Sequence, residues 1–372
     1  MTTTDPDRRI GIFMSFSGEG GVERMVSNLA QGMLDAGYQV DFVLARAQGR
    51  HLDSIPDGVR LIKLGKRHTL GALPGLTAYL RREKPSALLA AKDRGIRVAI
   101  LARFLARSDV FLAGRIGTTV SAALEGRNLL KRIFWYLGMR LFYRFADLII
   151  AVSEGVAMDV MQITSLPPSR VTVIRNPVVT PKIYRLAEEH VSHPWFEDPT
   201  IPIIMGMGRL TRQKDFTTLI KAFAKVRETR KCRLLILGEG ADRKDIESLA
   251  MELKISDDVY LPGFKSNPYS YLVRSSLFVL SSRWEGSPNA LTEALALGRP
   301  VVSTDCPSGP REILADGKYG KLVPIGDIET MANAIAQTLN TVGDPEFSRQ
   351  AVSEYTVESS TNSYLKALNL KI

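Results

Sequence analysis

Few residues in this sequence can build a disulfide framework or a metal centre. The 372 residues include only two cysteines and four histidines, and Cys232 and Cys306 lack the spacing of metal ligands. No apolar run approaches the roughly 20 residues that cross a bilayer, and residues 1–9 are too polar for a secretory signal peptide. We therefore expect a soluble cytoplasmic protein without structural disulfides.

The composition and the length of the chain indicate a globular protein of two domains. Hydrophobic residues make up 45% of the chain and charged residues 24%, as in ordinary folded proteins, and a chain of this length usually divides into two domains. Residues 1–178 hold 25 basic and 15 acidic residues and thus the whole net charge of +10. This asymmetry favours an anionic partner for the first half, with a surplus that only aids solubility as the alternative.

Short apolar strands alternate with helices in two successive stretches. Strands separated by helices of ten or more residues imply crossover connections and a mostly parallel sheet. We predict an α/β fold of two Rossmann-like doubly wound domains, residues 1–178 and 203–345, joined by a polar, proline-bearing linker at 179–202. Ligands of such domains bind at the carboxyl ends of the strands, so we expect the two domains to face each other across a cleft.

A glycine-rich turn follows the first predicted strand. Gly20 and Gly21 stand directly before a predicted helix, where glycine allows a ligand to approach and the helix start offers amides to an anion. Glu23 occupies the place of the third glycine of the dinucleotide fingerprint, which disfavours a nicotinamide dehydrogenase. A tight turn without a ligand is the alternative.

Two basic residues follow the first strand of the second predicted domain. Arg209 and Lys214 lie five residues apart on one loop. A guanidinium and an ammonium group there can neutralise a diphosphate, the first by paired hydrogen bonds and the second as a point charge. Taken alone, two basic residues on a loop are more typical of a solvated surface.

Two carboxylates flank the start of a later helix. Glu285 follows a predicted strand at 277–281, and Glu293 lies in a helix for which Ser287 is a candidate N-cap and Pro288 the first residue. Carboxylates accept hydrogen bonds from hydroxyl groups, so the pair suits a sugar and a ribose. The alternative is a helix-start charge and an ordinary surface pair.

This pattern resembles the retaining glycosyltransferases of family 4. Glu285 and Glu293 are separated by seven residues, and Gly-Arg-Leu…Gln-Lys stands upstream at 208–214. The resemblance extends over nearly the whole chain, through Gly20-Gly21, Asn176-Pro177 and residues 151–154, 237–240, 298–302, 306–314 and 319–327. It implies the two-domain GT-B fold, with acceptor binding at 1–178, nucleotide-sugar binding at 203–345, and a final segment, 346–372, that returns to the first domain.

The resemblance also implies a reaction and a set of residues. Enzymes of this kind move a hexose or N-acetylhexosamine from a nucleotide sugar, here expected to be a UDP-sugar, with retained anomeric configuration and without a metal or other cofactor. The implied catalytic residues are Arg209 and Lys214, on the diphosphate, and Glu285, on the sugar. Glu293 on the ribose completes the donor site with the glycines and amides of Gly20, Gly21, Gly286, Ser287, Asn289, Ala290 and Leu291.

One departure from the family pattern concerns a histidine. Many relatives place a His near the anomeric carbon, after the strand that corresponds to residues 110–113. None of the four histidines fits that position. Arg115 is the candidate substitute, through contact with phosphate or acceptor.

A basic and aromatic segment bears on the acceptor. Residues 126–146 contain five basic and no acidic residues, interleaved with aromatic and aliphatic ones. Such a helix suits anionic lipid headgroups. Our hypothesis is a cytoplasmic enzyme, peripheral at the inner face of the membrane, that extends a lipid-linked glycan or lipopolysaccharide. The alternative is a crossover helix with one buried face and its basic residues in solvent. No nucleic-acid recognition module accompanies the segment, so no nucleic-acid partner is expected.

Two other functions fit the same predicted fold. A sugar-nucleotide epimerase or hydrolase would use a similar donor site, and product analysis with and without acceptor separates it from a transferase. A non-catalytic sugar-nucleotide-binding protein is permitted by the missing histidine. It would bind the donor without turnover.

Overall fold

The computed structural model describes residues 8–16, 21–48, 52, 55–198 and 200–371. The chain divides into two units, the first made of residues 1–177 and 356–372 and the second of residues 178–355. Among the described residues, no helix is both long and apolar enough to cross a membrane.

The first unit is built on a seven-stranded parallel sheet with the order β3-β2-β1-β4-β5-β6-β7. Its strands are β1 (Arg9–Phe16), β2 (Gln39–Ala47), β3 (Arg60–Lys63), β4 (Ala87–Ala91), β5 (Phe111–Ile116), β6 (Leu148–Ala151) and β7 (Val171–Val173). The helices before residue 177 are α1 (Gly21–Asp35), α2 (Leu73–Glu83), α3 (Asp93–Ala106), α4 (Val120–Ala123), α5 (Leu129–Tyr143) and α6 (Glu154–Thr164). The strand order reverses between β1 and β4, which confirms the predicted doubly wound topology.

Helices cover both faces of this sheet, which explains why its strands are so apolar. All five residues of β4 are buried, as expected for a parallel strand covered on two sides. Alternate residues of β1 enter opposite cores: Phe13 packs in one apolar cluster, and Ile12 and Met14 in the other. The period of two along the strand thus connects one sheet to two helical layers.

The second unit repeats the design with six parallel strands in the order β10-β9-β8-β11-β12-β13. These strands are β8 (Ile203–Met207), β9 (Arg233–Leu237), β10 (Val259–Gly263), β11 (Leu277–Leu280), β12 (Val301–Thr304) and β13 (Lys321–Val323). Its helices are α7 (Pro181–Ala187), α8 (Phe216–Thr229), α9 (Arg243–Glu252), α10 (Tyr269–Leu272), α11 (Asn289–Ala296), α12 (Pro310–Ile313), α13 (Ile328–Leu339) and α14 (Pro345–Gln350). Strand order reverses between β8 and β11.

The stretch expected to be a linker, residues 179–202, is instead part of the second unit. Thr180 caps α7 by accepting a hydrogen bond from the Ile183 amide at 3.3 Å, and Ile183 and Ala187 are buried in the core of that unit. Pro181 stands at the first helical position, where its missing N–H costs nothing. The proline and polar residues therefore mark a helix start rather than an irregular connection.

The end of the chain contributes a helix to the first unit. Residues 346–355 stay with the second unit, and only residues 356–372, which contain α15 (Val357–Ala367), join the first. Tyr364, Leu365 and Leu368 are buried in the cluster that also holds the apolar face of α1. Gly32 permits the close approach of α1 and α15, since a Cβ there would stand 2.1 Å from Oγ1 of Thr361.

Candidate active site

The predicted donor residues lie on two neighbouring loops of the second unit. β8 and β11 are adjacent central strands, and the loops 208–215 and 281–288 leave their carboxyl ends. The strand order reverses at this point, and such a switch point is where doubly wound sheets bind ligands. The fold therefore places the two loops where the sequence predicted a site.

Lys214 and Glu285 form an ion pair across these loops. The Lys214 ammonium donates to Oε1 of Glu285 at 2.6 Å, and the two side chains are only 16% and 8% exposed. The Ser282 hydroxyl donates to the same oxygen, also at 2.6 Å. Low exposure strengthens the attraction between the charges and makes loss of one partner costly. The structure thus brings together two of the three predicted catalytic side chains.

Further contacts fix the backbone around this pair. Asp215 has a φ of +47°, in the left-handed region, which turns the chain from the loop into α8. Its carboxylate lies 3.3 Å from Nε of Arg283 on the facing loop, and the Ser281 hydroxyl donates to the Lys214 carbonyl at 2.7 Å. The two loops consequently hold each other in register.

The exposed side chain of Arg209 lies on the first of these loops. The loop is supported from its other side by Gly238 and Gly240, which follow β9. A Cβ on Gly238 would stand 1.9 Å from the Gly208 carbonyl oxygen, and one on Gly240 would stand 2.1 Å from that of Leu210. Only glycine permits this contact between backbones, so the position of the Arg209 loop depends on both residues.

The helix α11 starts one residue later than predicted. Pro288 is its N-cap and provides no side-chain cap, so Ser287 is not the N-cap. Gly286 and Leu291 are buried, and the Leu291 amide donates to the Pro288 carbonyl at 3.0 Å. A donor contact to the Leu291 amide would therefore compete with an existing hydrogen bond. Asn289 and Ala290, which form the first turn, are half-buried.

Glu293 lies in the second turn of α11 and is buried. The Tyr269 hydroxyl of α10 donates to its Oε1 at 3.4 Å. Glu285 thus lies on the loop before α11, and Glu293 lies within α11. The sequence predicted this placement of the two acids.

The loop after β12 borders Glu285. The Ser308 hydroxyl donates to the Gly286 carbonyl at 3.1 Å, and Gly309, with φ +96°, leaves no room for a Cβ beside that carbonyl oxygen, 2.8 Å away. Burial, followed by the nearby Glu285 carboxylate, raises the pKa of the Cys306 thiol to about 12. This thiol is therefore neutral and is not a nucleophile at physiological pH.

Two site residues were missed by the sequence reasoning. Ser282 could have been found, because a serine directly after an apolar strand points to the carboxyl edge of the sheet. Tyr269 carried no such signal, since it lies on a four-residue helix far from Glu293 in sequence. Both orient the predicted carboxylates rather than adding new charge.

In the first unit, the glycine turn is described only in part. Gly20 lies outside the described residues, and Gly21 is the first residue of α1. Glu23, in the first turn, is buried, and Nζ of Lys92 lies 3.7 Å from its Oε1. Lys92 follows β4 and has a φ of +68°. The start of α1 thus carries a buried acid that faces a lysine at the carboxyl end of β4.

Arg115 does not have the role suggested for it as a substitute histidine. Its side chain is buried, Nε donates to the Tyr364 hydroxyl at 3.1 Å, and Nη2 donates to Oδ1 of Asn176 at 2.7 Å. Both acceptors belong to the first unit. The guanidinium therefore ties α15 and the segment after β7 to β5, instead of extending toward a phosphate or an acceptor.

Two family models match the chain in succession. Residues 19–181 match the model described as glycosyltransferase family 4, and residues 188–355 match the model described as glycosyl transferases group 1. Together they span both loops of the candidate site and every strand of the two sheets except β1.

Three curated relatives show how far the similarity extends. An uncharacterized glycosyltransferase of Methanocaldococcus jannaschii is 35% identical over 50% of either chain. The N-acetylgalactosaminyltransferase of Campylobacter jejuni that acts on N-acetylgalactosamine-N,N'-diacetylbacillosaminyl-diphospho-undecaprenol is 28% identical over 92% of each chain. The lipopolysaccharide core biosynthesis glycosyltransferase LpsE of Rhizobium meliloti is 26% identical over 96% of this chain and 98% of its own.

Solved structures share the fold over nearly the whole chain. HepE of Anabaena, solved in complex with UDP, superposes with a TM-score of 0.78 at 18% identity and covers 97% of this chain and 99% of its own. The galactosyltransferase WaaB of the lipopolysaccharide outer core, in its apo form, gives a TM-score of 0.72 at 18% identity, with the same coverage. These matches, with the two doubly wound sheets, show the GT-B fold. The two family models show that the chain belongs to the family 4 glycosyltransferases and is an enzyme.

Proposed function

We propose that the enzyme transfers a hexose or N-acetylhexosamine from a UDP-sugar to a glycan or lipid-linked acceptor, with retention of anomeric configuration and without a metal. The observation that carries the donor assignment is the 2.6 Å contact of Lys214 with Glu285 at the carboxyl ends of two adjacent strands. A cation and a carboxylate held there suit the two chemically different parts of a nucleotide sugar, its diphosphate and its hydroxyl groups.

In the proposed reaction, Arg209 and Lys214 bind the donor diphosphate. The bond from the anomeric carbon to the diphosphate oxygen breaks, and a bond to the acceptor oxygen forms on the same face of the sugar. The acceptor proton goes to the departing diphosphate. Negative charge develops on that group, so preorganised cations lower the barrier by stabilising it.

The carboxylates position the donor in this proposal. Glu285 accepts hydrogen bonds from sugar hydroxyls, and Glu293 accepts them from the ribose. Ser282 and Lys214 hold one oxygen of Glu285, which fixes the direction of the carboxylate before the sugar binds. The first turn of α11, at Asn289 and Ala290, is half-buried and follows Glu285 along the chain. In this proposal its backbone amides add donors for an anion.

The UDP and acceptor parts of the proposal draw support from similar proteins. HepE was solved with UDP, and the names of the Campylobacter and Rhizobium relatives specify a diphospho-undecaprenol-linked acceptor and the lipopolysaccharide core. A comparable acceptor here would place the enzyme at the cytoplasmic face of a membrane. The positive charge of residues 1–178 fits such an anionic surface.

Calorimetric titration with UDP, GDP and ADP in the presence of EDTA tests the donor assignment. We expect selective UDP binding that Arg209→Ala abolishes. Arg212→Ala is the matched control, because Arg212 is also exposed on the same loop but is not assigned to the donor. Absence of binding by any nucleotide, with or without acceptor and vesicles, overturns the proposal.

Product analysis tests the reaction itself. Incubation with UDP-sugars and lipid-linked acceptors should give a glycoside whose anomeric proton coupling matches that of the donor. Release of free sugar or an epimerised nucleotide sugar regardless of acceptor would instead assign a hydrolase or epimerase. Binding without turnover in every acceptor mixture would assign a non-catalytic protein.

A further inference from the structure

The helix α5 exposes an unusually apolar face to solvent. Six large hydrophobic residues of α5 and one just after it, Phe145, are exposed, and Phe134 is 71% and Leu129 65% accessible. The others on the helix are Leu130, Ile133, Leu137 and Leu141. Contiguous apolar surface of this kind marks an interaction site more often than a bare surface.

The aromatic residues expected to meet lipid do not all lie on this face. Trp135 is half-buried, with the guanidinium groups of Arg94 and Arg97 5.7 and 5.6 Å from its ring centre. Tyr143 is fully buried and donates to Oδ1 of Asp93 at 3.0 Å. These contacts fasten α5 to α3. They leave the face that carries Phe134 without a packing partner among the described residues.

The end of α3 extends the same surface. Phe104 and Leu105 are 52% and 53% exposed, and the ring of Phe104 meets that of Phe145 edge-on at 5.2 Å. Arg107, the C-cap of α3, follows directly. The surface defined by the six exposed residues of α5, by Phe145 and by residues 104–107 therefore spans two helices, and we call it the α3–α5 surface.

The charges along residues 126–146, which form most of the α3–α5 surface, are of one sign. At the α3 end, Asp109 and Asp147 line the same hollow as Phe104, and Asp147 pairs with Arg103. Arg127, Lys131, Arg140 and Arg144 are exposed, and no acidic residue occurs between positions 126 and 146. Two copies of this surface would bring like charges together in a symmetric dimer, which disfavours a second copy as the partner. An anionic partner with an apolar interior matches both the charge and the apolar residues.

We propose that the α3–α5 surface docks on an anionic lipid bilayer. The helix α5 lies in the plane of the interface, with its apolar residues among the acyl chains and its basic residues at the headgroups, as amphipathic interfacial helices do. Docking would bring the enzyme to a lipid-linked acceptor, so this inference rests on the proposed function. The residues of the α3–α5 surface are separate from those assigned to the donor.

Vesicle sedimentation of the full chain tests the proposal. We expect binding to vesicles of phosphatidylglycerol and phosphatidylcholine, weaker binding in high salt, and little binding to phosphatidylcholine alone. The paired change Phe134→Ser with Lys131→Gln should weaken partitioning roughly tenfold or more, since each basic residue near an anionic surface contributes substantially. The matched control is Met251→Ser with Lys244→Gln on α9, where both residues are exposed.

Each outcome separates docking from donor binding. UDP titration should be unchanged in both paired variants, which distinguishes failure of membrane docking from failure of the proposed function. Equal vesicle binding by the site and control variants overturns the assignment of the surface. Absence of vesicle binding together with a dimer in sedimentation equilibrium overturns the choice of membrane and identifies a second copy as the occupant.

Discussion

Lys214 uses one of its three ammonium donors on Glu285. The same group can therefore hold this carboxylate and a phosphate oxygen at once, which connects the sugar end of a donor to its diphosphate. Removal of either partner leaves the other charge in a site with little access to water. The pair is thus the residue-scale feature on which the donor assignment depends.

We expect Glu285→Gln and Lys214→Ala each to lower turnover at least about a hundredfold, the scale of one preorganised electrostatic group. Steady-state transfer rates at saturating donor measure the effect, and thermal melting checks that each variant folds. Glu329→Gln is the control, because it breaks the exposed Lys225–Glu329 pair with the same 2.6 Å contact and should change nothing. Near-normal rates in both site variants would contradict the assignment.

The Cys306 thiol allows a test that depends on pH. Burial and Glu285 raise its pKa to about 12, whereas an unperturbed cysteine titrates at about 8.5. The raised pKa favours the protonated form, and only the thiolate is reactive. We therefore expect the native enzyme to resist iodoacetamide at Cys306 at pH 8 and to react rapidly after denaturation, as read by peptide mass spectrometry. Native labelling at the rate of free cysteine would show that Glu285 is not beside a buried thiol.

At the scale of elements, the sequence predicted the strands well and the contacts between loops poorly. Apolar runs such as residues 203–207 are easily recognised in the sequence, because a parallel strand covered on both faces needs a hydrophobic residue at nearly every position. The meeting of Gly238 with Gly208 has no such local signal, since it depends on how two loops from different strands pack. The helix α7 was missed because its proline and charged residues are equally typical of a connection.

The same limit applies to side-chain direction. The sequence placed Lys214 and Glu285 on one edge of the sheet, but their direct contact follows from the paired loops. In α5, composition indicated an aromatic and basic helix, yet only the packing against α3 shows that Tyr143 is internal and Phe134 external. A helical period does not reveal which stripe a neighbour covers when apolar residues occupy more than one stripe.

The loop contact behind Arg209 gives an element-scale prediction. In Gly238→Ala, the new Cβ would overlap the Gly208 carbonyl at 1.9 Å, so the loop carrying Arg209 must move. We expect UDP affinity to fall at least about tenfold, equivalent to roughly 1.4 kcal/mol, with a loss of about 1–3 kcal/mol in unfolding free energy. Calorimetry and denaturant titration measure the two quantities.

Gly343→Ala serves as the matched substitution for this test. Its Cβ would lie 3.5 Å from the nearest neighbouring atom, on Pro300, which is ordinary van der Waals contact. UDP affinity should be unchanged there. An equal loss in both variants would indicate a general cost of replacing glycine in the second unit and not a displaced Arg209 loop.

At the scale of the whole molecule, the chain passes between the two units twice. It leaves the first unit after residue 177 and re-enters it at residue 356. The returning helix supplies buried apolar side chains and the hydroxyl of Tyr364, which accepts a hydrogen bond from Arg115. The stability of the first unit therefore depends on the last residues of the sequence.

Removal of residues 356–372 should accordingly destabilise the first unit while the second still binds UDP. The deletion exposes the α1 face and leaves the buried Arg115 without one acceptor, and loss of a hydrogen bond to a charged group alone costs about 1.5–3 kcal/mol. Hydrogen exchange resolved by peptide should show lost protection in β1 and β5 and retained protection in β8 and β11. The milder variant Tyr364→Phe removes only the hydrogen bond from Arg115 and should lower the unfolding free energy of the first unit by that contribution. Lys366→Gln, exposed on the same helix, should leave it unchanged. Uniform loss of protection across both units would mean that α15 stabilises the molecule as one cooperative body.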